Sequence, residues 1–305
     1  KIITYDRVAI KSLTSIKRVW REFQFFHSFK KENYDVVINL TSGDRGNLIA
    51  WISNATTRIG YSNKSWFFRK SLTHELPKQE LRHTVDASLD PLRLLNIPIS
   101  NKSVEIFWSP KDEQAISSEL TNINNFIHLH PVSRWLFKCI SDNIMAQIID
   151  YCQLNIGLKV VITASEDKFE LEKVNKILSL TKSKPINLSG KLSLKETAAL
   201  NKKAKLFIGV DTSIMHISAS NNIPVLAFFG PSGACHWGPW DNSMDTSGYS
   251  MIKGFQVMGM HRVFSESRPC QPCGKDGCNG SKISDCLMNL DFEKIKGNIV
   301  EMLDD

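Results

Sequence analysis

The stretch KLFIGVDTSIMHISASNNIPVLAFFG (205–230) decides the fold. KLFIGV and PVLAFFG read as strands, and a helix at 213–221 begins at once after Asp211-Thr212-Ser213. The same unit recurs upstream, where FIHLH (126–130), LKVVIT (158–163) and PINLSG (185–190) are further strands separated by helices at 141–153, 167–180 and 193–203. β-Branched strands alternating with helices of this length describe a doubly wound parallel sheet, which binds ligands at the carboxyl ends of its strands.

Nearer the N-terminus, KIITYD (1–6) is strand-like. Residues 11–31 carry Leu13, Ile16, Val19, Trp20, Phe23, Phe26 and Phe29 as an apolar stripe among basic residues, which predicts an amphipathic helix. YDVVINL (34–40) reads as a buried strand that leads through TSGDRG (41–46) into a helix at 46–55, and another helix lies around Val85–Leu95, stopped by Pro98. Residues 109–125, rich in Ser, Asn and charge, place a domain boundary near residue 122. Two α/β domains are therefore expected, 1–122 and 123–305, with a ligand in the cleft they form.

The 305 residues are 42% hydrophobic and 23% charged, which excludes disorder, collagen-like repetition and a disulfide-built miniprotein. The net charge of +7 is unevenly placed. Residues 1–110 hold 17 Lys/Arg against 10 Asp/Glu, whereas the remainder holds 21 of each. No apolar run long enough to cross a membrane and no basic-then-apolar leader pattern is present, so a cytoplasmic location is expected. Seven Cys, three of them scattered, suit a reducing compartment.

Four groups of residues carry candidate chemistry. At the end of KLFIGV, the helix start offers free backbone N–H groups to phosphate, Asp211 is placed to accept from a sugar hydroxyl, and His216 lies about one turn beyond Ser213. An ordinary N-cap with a packed histidine is the alternative. In HPVSRWLFK (130–138), Ser133, Arg134 and Lys138 could bind a diphosphate, Arg134 through its planar fork and Lys138 as a point charge, or could form a solvated basic loop. Asp44 and Arg45 either orient a polar acceptor or cap a helix and meet solvent. Cys270, Cys273, Cys278 and Cys286, spaced C-x2-C-x4-C-x7-C, could hold a structural zinc or remain reduced thiols. The aromatic segment HWGPW (236–240) reads mainly as packing.

FIGVDTSIMHISASNNIPVLAFFGPSGACHWGPW (207–240), preceded by GKLSLKETAALNKKAKLF (190–207), resembles the signature of the family 9 glycosyltransferases, the heptosyltransferases of the lipopolysaccharide inner core. The 130–138 loop, TSGDRG with RIGY (58–61), and CQPCGKDGCNGSKISDCL (270–287) resemble its heptosyltransferase III branch. The resemblance implies a GT-B fold of two Rossmann-like domains. The second would bind ADP-L-glycero-D-manno-heptose and the first a lipid A-core oligosaccharide at the inner membrane surface, in an inverting transfer that requires no cofactor. It places Ser133, Arg134, Lys138, Thr212 and Ser213 on the diphosphate, Asp211 and His216 on the sugar or phosphates, Leu192 on adenine and Glu166 on ribose. Catalytic weight falls on Lys138 and Asp211. Family members also begin with a strand and a Gly-Asp loop that supplies the general base, upstream of where this sequence starts, so the first domain is expected to lack its first strand and helix.

A sugar-nucleotide binder without transfer activity and a transferase for another nucleotide-sugar also fit the donor residues. A zinc-containing nucleic-acid-binding protein is the weaker alternative, because the cysteines lie in the neutral part of the chain and the basic charge lacks aromatic interleaving on exposed strands.

Overall fold

The computed structural model describes residues 1–41, 43–62, 70–77, 81–120, 123 and 125–304. The chain divides into two compact units, Lys1–Glu80 with Asp86–Ser100 and Leu81–Val85 with Asn101–Asp305. The boundary expected near residue 122 falls outside the described residues.

In the first unit, β1 (Val36–Asn39), β2 (Thr57–Tyr61) and β3 (His74–Leu76) pair in parallel in that order. Residues 1–6, expected as a strand, pair with none of the described strands. Asp6 begins a helix there, its carboxylate accepting from the Ala9 N–H at 2.9 Å and capping α1 (Arg7–Lys11). The amphipathic helix forms as α2 (Ser15–Lys31), but Ile16, Val19, Trp20 and Phe23 of its stripe are exposed. α3 (Asp44–Ile52) starts two residues before the expected position. Gly46 is required there, since a Cβ would come within 2.2 Å of the Asn39 side chain. Asn39 in turn donates to Asn47 Oδ1 at 2.8 Å and locks the end of β1 to α3. The helix expected around Val85–Leu95 is two short ones, α4 (Thr84–Ala87) and α5 (Asp90–Leu94), because Pro91 lacks the N–H needed to continue a helix through it.

The second unit opens with α6 (Pro110–Glu119), started by a reciprocal cap between Ser109 and Asp112 and packed on α9 (Leu194–Asn201). Its sheet runs β6-β5-β4-β7-β8-β10-β9. The strands are β4 (Phe126–His130), β5 (Lys159–Ile162), β6 (Ile186–Asn187), β7 (Leu206–Val210), β8 (Val225–Phe228), β9 (Gln256–Met258) and β10 (His261–Phe264). All pairings are parallel except β9 with β10. Side chains alternate between two cores. Ile127, Leu129, Val160, Ile162, Leu206 and Ile208 enter one, and Phe126, Val161, Phe207 and Val225 enter the other. Each such fully buried side chain stabilises the fold by about 1.5–3 kcal/mol, which explains the continuous apolar runs of the sequence. α7 (Asp142–Asp150), α8 (Lys168–Leu180) and α11 (Phe292–Asp304) contribute to the first core, α9 and α10 (Ser213–Ser220) to the second.

Candidate functional site

From β4 the chain steps outward to β5 and β6, then returns to place β7 on the other side of β4. A crevice opens at the carboxyl ends of strands where the order reverses in this way. Gly209 of β7 permits the close approach, since a Cβ there would lie 2.7 Å from the His130 carbonyl oxygen. Pro131 ends β4 by removing an N–H from the ladder, and the chain turns through Leu136–Lys138. After β7, Thr212 accepts from the Met215 N–H at 3.4 Å and starts α10.

Between these two loops lies a cavity of about 530 Å³. Ser133, Arg134 and Lys138 line it from the β4 loop, Asp211, Thr212, Ser213 and His216 from the β7 turn, and Leu192 from the segment before α9. The structure thus gathers eight of the nine residues expected at the donor, from positions between Ser133 and His216. The residues that cap α10 at the β7 turn are also residues of the cavity wall.

Lys138 Nζ donates to Asp211 Oδ2 at 2.7 Å, and the Ser232 hydroxyl donates to the same oxygen at 2.5 Å. Asp211 is buried and Lys138 is partly so, which leaves the ammonium facing the cavity with its position fixed from behind. Burial lowers the pKa of His216 below its ordinary value, the Asp211 carboxylate partly offsets this and the Lys138 ammonium adds to it. His216 is therefore a neutral imidazole at pH 7. The free amides of the first turn of α10 complete a wall that favours negative charge.

Glu166, the ninth expected residue, is exposed and does not line the cavity. Glu170 does, buried, with Oε2 accepting from the Ser165 N–H at 3.0 Å. The reason is local. Asp167 accepts from the Phe169 and Glu170 N–H groups and starts α8, which leaves Glu166 exposed and buries Glu170. An Asp followed three residues later by Glu is a helix-start signature, and it could have indicated Glu170. His130, Trp135, Thr163 and Thr197 also line the cavity and were not anticipated. The Arg134 guanidinium lies 5.7 Å from the centre of the Trp135 ring, a contact that restrains it.

In the first unit, Asp44 is the first residue of α3. Arg45 reaches back to Glu22 at 3.0 Å and stacks on the Tyr5 ring at 4.0 Å, so it is tethered rather than free in solvent. Of HWGPW, Trp240 is packed in the core while Trp237 is exposed.

Of the two readings of the cysteines, zinc ligands or reduced thiols, the described residues show no gathered ligand group. Cys270 is exposed, Cys273 and Cys278 are half-buried and Cys286 is buried, and none forms a disulfide. Among the described residues no group of three or more His, Cys, Asp or Glu is placed to hold a metal ion. The turn Asp285–Leu287 inserts Cys286 into the core, where burial raises its thiol pKa to about 11.

Residues 22–254 match the model of glycosyltransferase family 9 (heptosyltransferase). Lipopolysaccharide heptosyltransferase 3 of Escherichia coli is 32% identical over 230 residues, covering 72% of this chain and 67% of that protein. A glycosyl transferase family 9 structure from Veillonella parvula superposes with a TM-score of 0.75 at 21% identity, covering 99% of this chain and 81% of the other. The E. coli ADP-heptose lps heptosyltransferase II gives a TM-score of 0.68 at 15% identity, over 93% of this chain and 81% of that one. By sequence, and with a matching fold, the chain belongs to glycosyltransferase family 9, the heptosyltransferases.

Proposed function

We propose that the chain transfers a heptose from ADP-L-glycero-D-manno-heptose to the inner core of lipopolysaccharide. The observation that carries this is the Lys138–Asp211 pair at the sheet's switch point, beside the amides that open α10. A sugar nucleotide there lays its diphosphate against Arg134, Lys138, the Ser133 hydroxyl and the positive end of α10. Leu192 gives the adenine an apolar surface, and Glu170 takes the ribose role expected of Glu166.

In the transfer, an acceptor hydroxyl oxygen bonds to the anomeric carbon as that carbon's bond to the β-phosphate oxygen breaks on the opposite face. Configuration inverts, the hydroxyl proton passes to a base, and ADP leaves with one more negative charge. Lys138 and the start of α10 stabilise that charge as it develops, and Asp211 keeps the Lys138 ammonium in place. Asp44 and Arg45 are assigned to the acceptor. The seven-charge excess of residues 1–110 supports a peripheral position at the inner face of the cytoplasmic membrane, where the phosphorylated lipid core is anionic. No described helix is long and apolar enough to cross a membrane.

Calorimetric titration tests the donor assignment. ADP and ADP-heptose should saturate the protein, with UDP and GDP at least about tenfold weaker, and a core-oligosaccharide acceptor should gain one heptose by mass spectrometry. Preference for UDP, or a response to single-stranded DNA and none to ADP, would overturn the proposal.

A further inference from the structure

One wall of the donor cavity is backed by a buried chain of polar side chains whose hydrogen-bond directions follow from its ends. Asn221 Nδ2 donates to the Ala198 carbonyl at 2.9 Å and to Asn201 Oδ1 at 3.0 Å. A carbonyl can only accept, so the orientation of both amides is fixed. Asn201 Nδ2 then donates to Ser218 Oγ at 2.8 Å and to His128 Nδ1 at 2.9 Å. Ser218 is consistent with this, because its own proton is given to the Ile214 carbonyl at 2.9 Å.

His128 Nδ1 is thus an acceptor. A neutral imidazole has one acceptor and one N–H, so Nε2–H donates to Thr163 Oγ1 at 2.8 Å. Among the described residues the acceptor within hydrogen-bond distance of the Thr163 hydroxyl proton is His130 Nδ1, 2.9 Å away. That donation leaves the His130 proton on Nε2. That nitrogen has no protein partner among the described residues, on a side chain only 6% exposed that lines the cavity. We propose that His130 Nε2–H is a fixed, uncharged hydrogen-bond donor of the donor site, directed at a diphosphate oxygen of the sugar nucleotide.

Its neighbours agree with that assignment. Burial holds His130 at a pKa of about 4 and His128 well below its ordinary value. In the same cavity the cations Lys138 and Arg134 oppose its protonation, while Asp211 and Glu170 favour it and His216 is neutral at pH 7. His130 immediately precedes the loop that brings Ser133 and Lys138 to the cavity, which places the diphosphate, and not the base, within its reach. A donor that cannot gain charge adds a hydrogen bond to the bound diphosphate at any pH near neutrality.

The inference rests on the transferase assignment for its ligand but not for its tautomer, and two experiments separate them. Histidine ¹⁵N NMR of the ligand-free protein should show His130 protonated on Nε2 and bare on Nδ1 from pH 6 to 8. An Nδ1–H tautomer or an imidazolium at pH 6 would overturn the inference whatever the substrate. In titrations, His130→Ala should weaken ADP about tenfold and leave adenosine unchanged, while His130→Gln, which keeps an N–H near the Nε2 position, should retain most of the ADP affinity. Thr163→Val should free the tautomer and weaken ADP several-fold, and Thr163→Ser should restore both. Wild-type affinity in His130→Ala, or equal losses for ADP and adenosine, would overturn the role of His130 alone; failure of the wild type to bind ADP would overturn the transferase assignment first.

Discussion

Two turns line the same cavity and were differently legible. The β7–α10 turn, Asp211 to His216, keeps its expected residues in place, whereas the β5–α8 turn presents Glu170 where Glu166 was expected. In the first, a single residue, Asp211, separates the end of β7 from the Thr212 cap, so sequence position dictates direction. In the second, several residues intervene between strand and helix, and the Asp167 cap sets the helical phase. The side chain that faces inward is then decided by that cap.

Acid acts on the sheet that carries both turns, and its effect is the largest expected. His128, His130, His216 and His261 all have pKa values lowered by burial, so the unfolded chain binds more protons than the folded one below the ordinary histidine pKa. Stability is then complete above about pH 6.5 and falls toward about pH 4. Urea unfolding across that range should show the midpoint dropping steeply with acid, and a flat profile would show that these imidazoles are not held neutral.

Within the β7 side, Lys138→Ala should lower kcat about 100-fold with a smaller change in KM, because its charge is needed most as ADP leaves. An unchanged kcat would remove Lys138 from the reaction and reduce the Lys138–Asp211 pair to a structural link. The β5 side gives the finer contrast. Glu170→Gln should weaken ADP-heptose binding about tenfold, and Glu166→Gln less than about twofold. The reverse order in titration would restore the expected assignment and mean that α8 begins elsewhere in solution.

The extent to which the sequence revealed the molecule has the same physical cause. Strands β4, β5, β7 and β8 were legible because both their faces are buried, which leaves an unbroken apolar run. β3, at three residues, and the antiparallel β9–β10 pair carry no such run and were not anticipated. Residues 1–6 had strand composition, yet the Asp6 cap starts a helix at Arg7. The four cysteines had the numbers for a metal site, but core packing of Cys286 separates its role from theirs. The chain from Asn221 to His130 was invisible in the sequence, since its members come from distant positions and meet only through the sheet.

The central claim is that the switch-point cavity holds the diphosphate of the donor, and a crystal structure with ADP tests it most directly. The account predicts the diphosphate between Lys138 and the first turn of α10, with adenine against Leu192 and His130 Nε2 within hydrogen-bond distance of a phosphate oxygen. ADP bound at another surface, or no ADP at a saturating concentration, would contradict it.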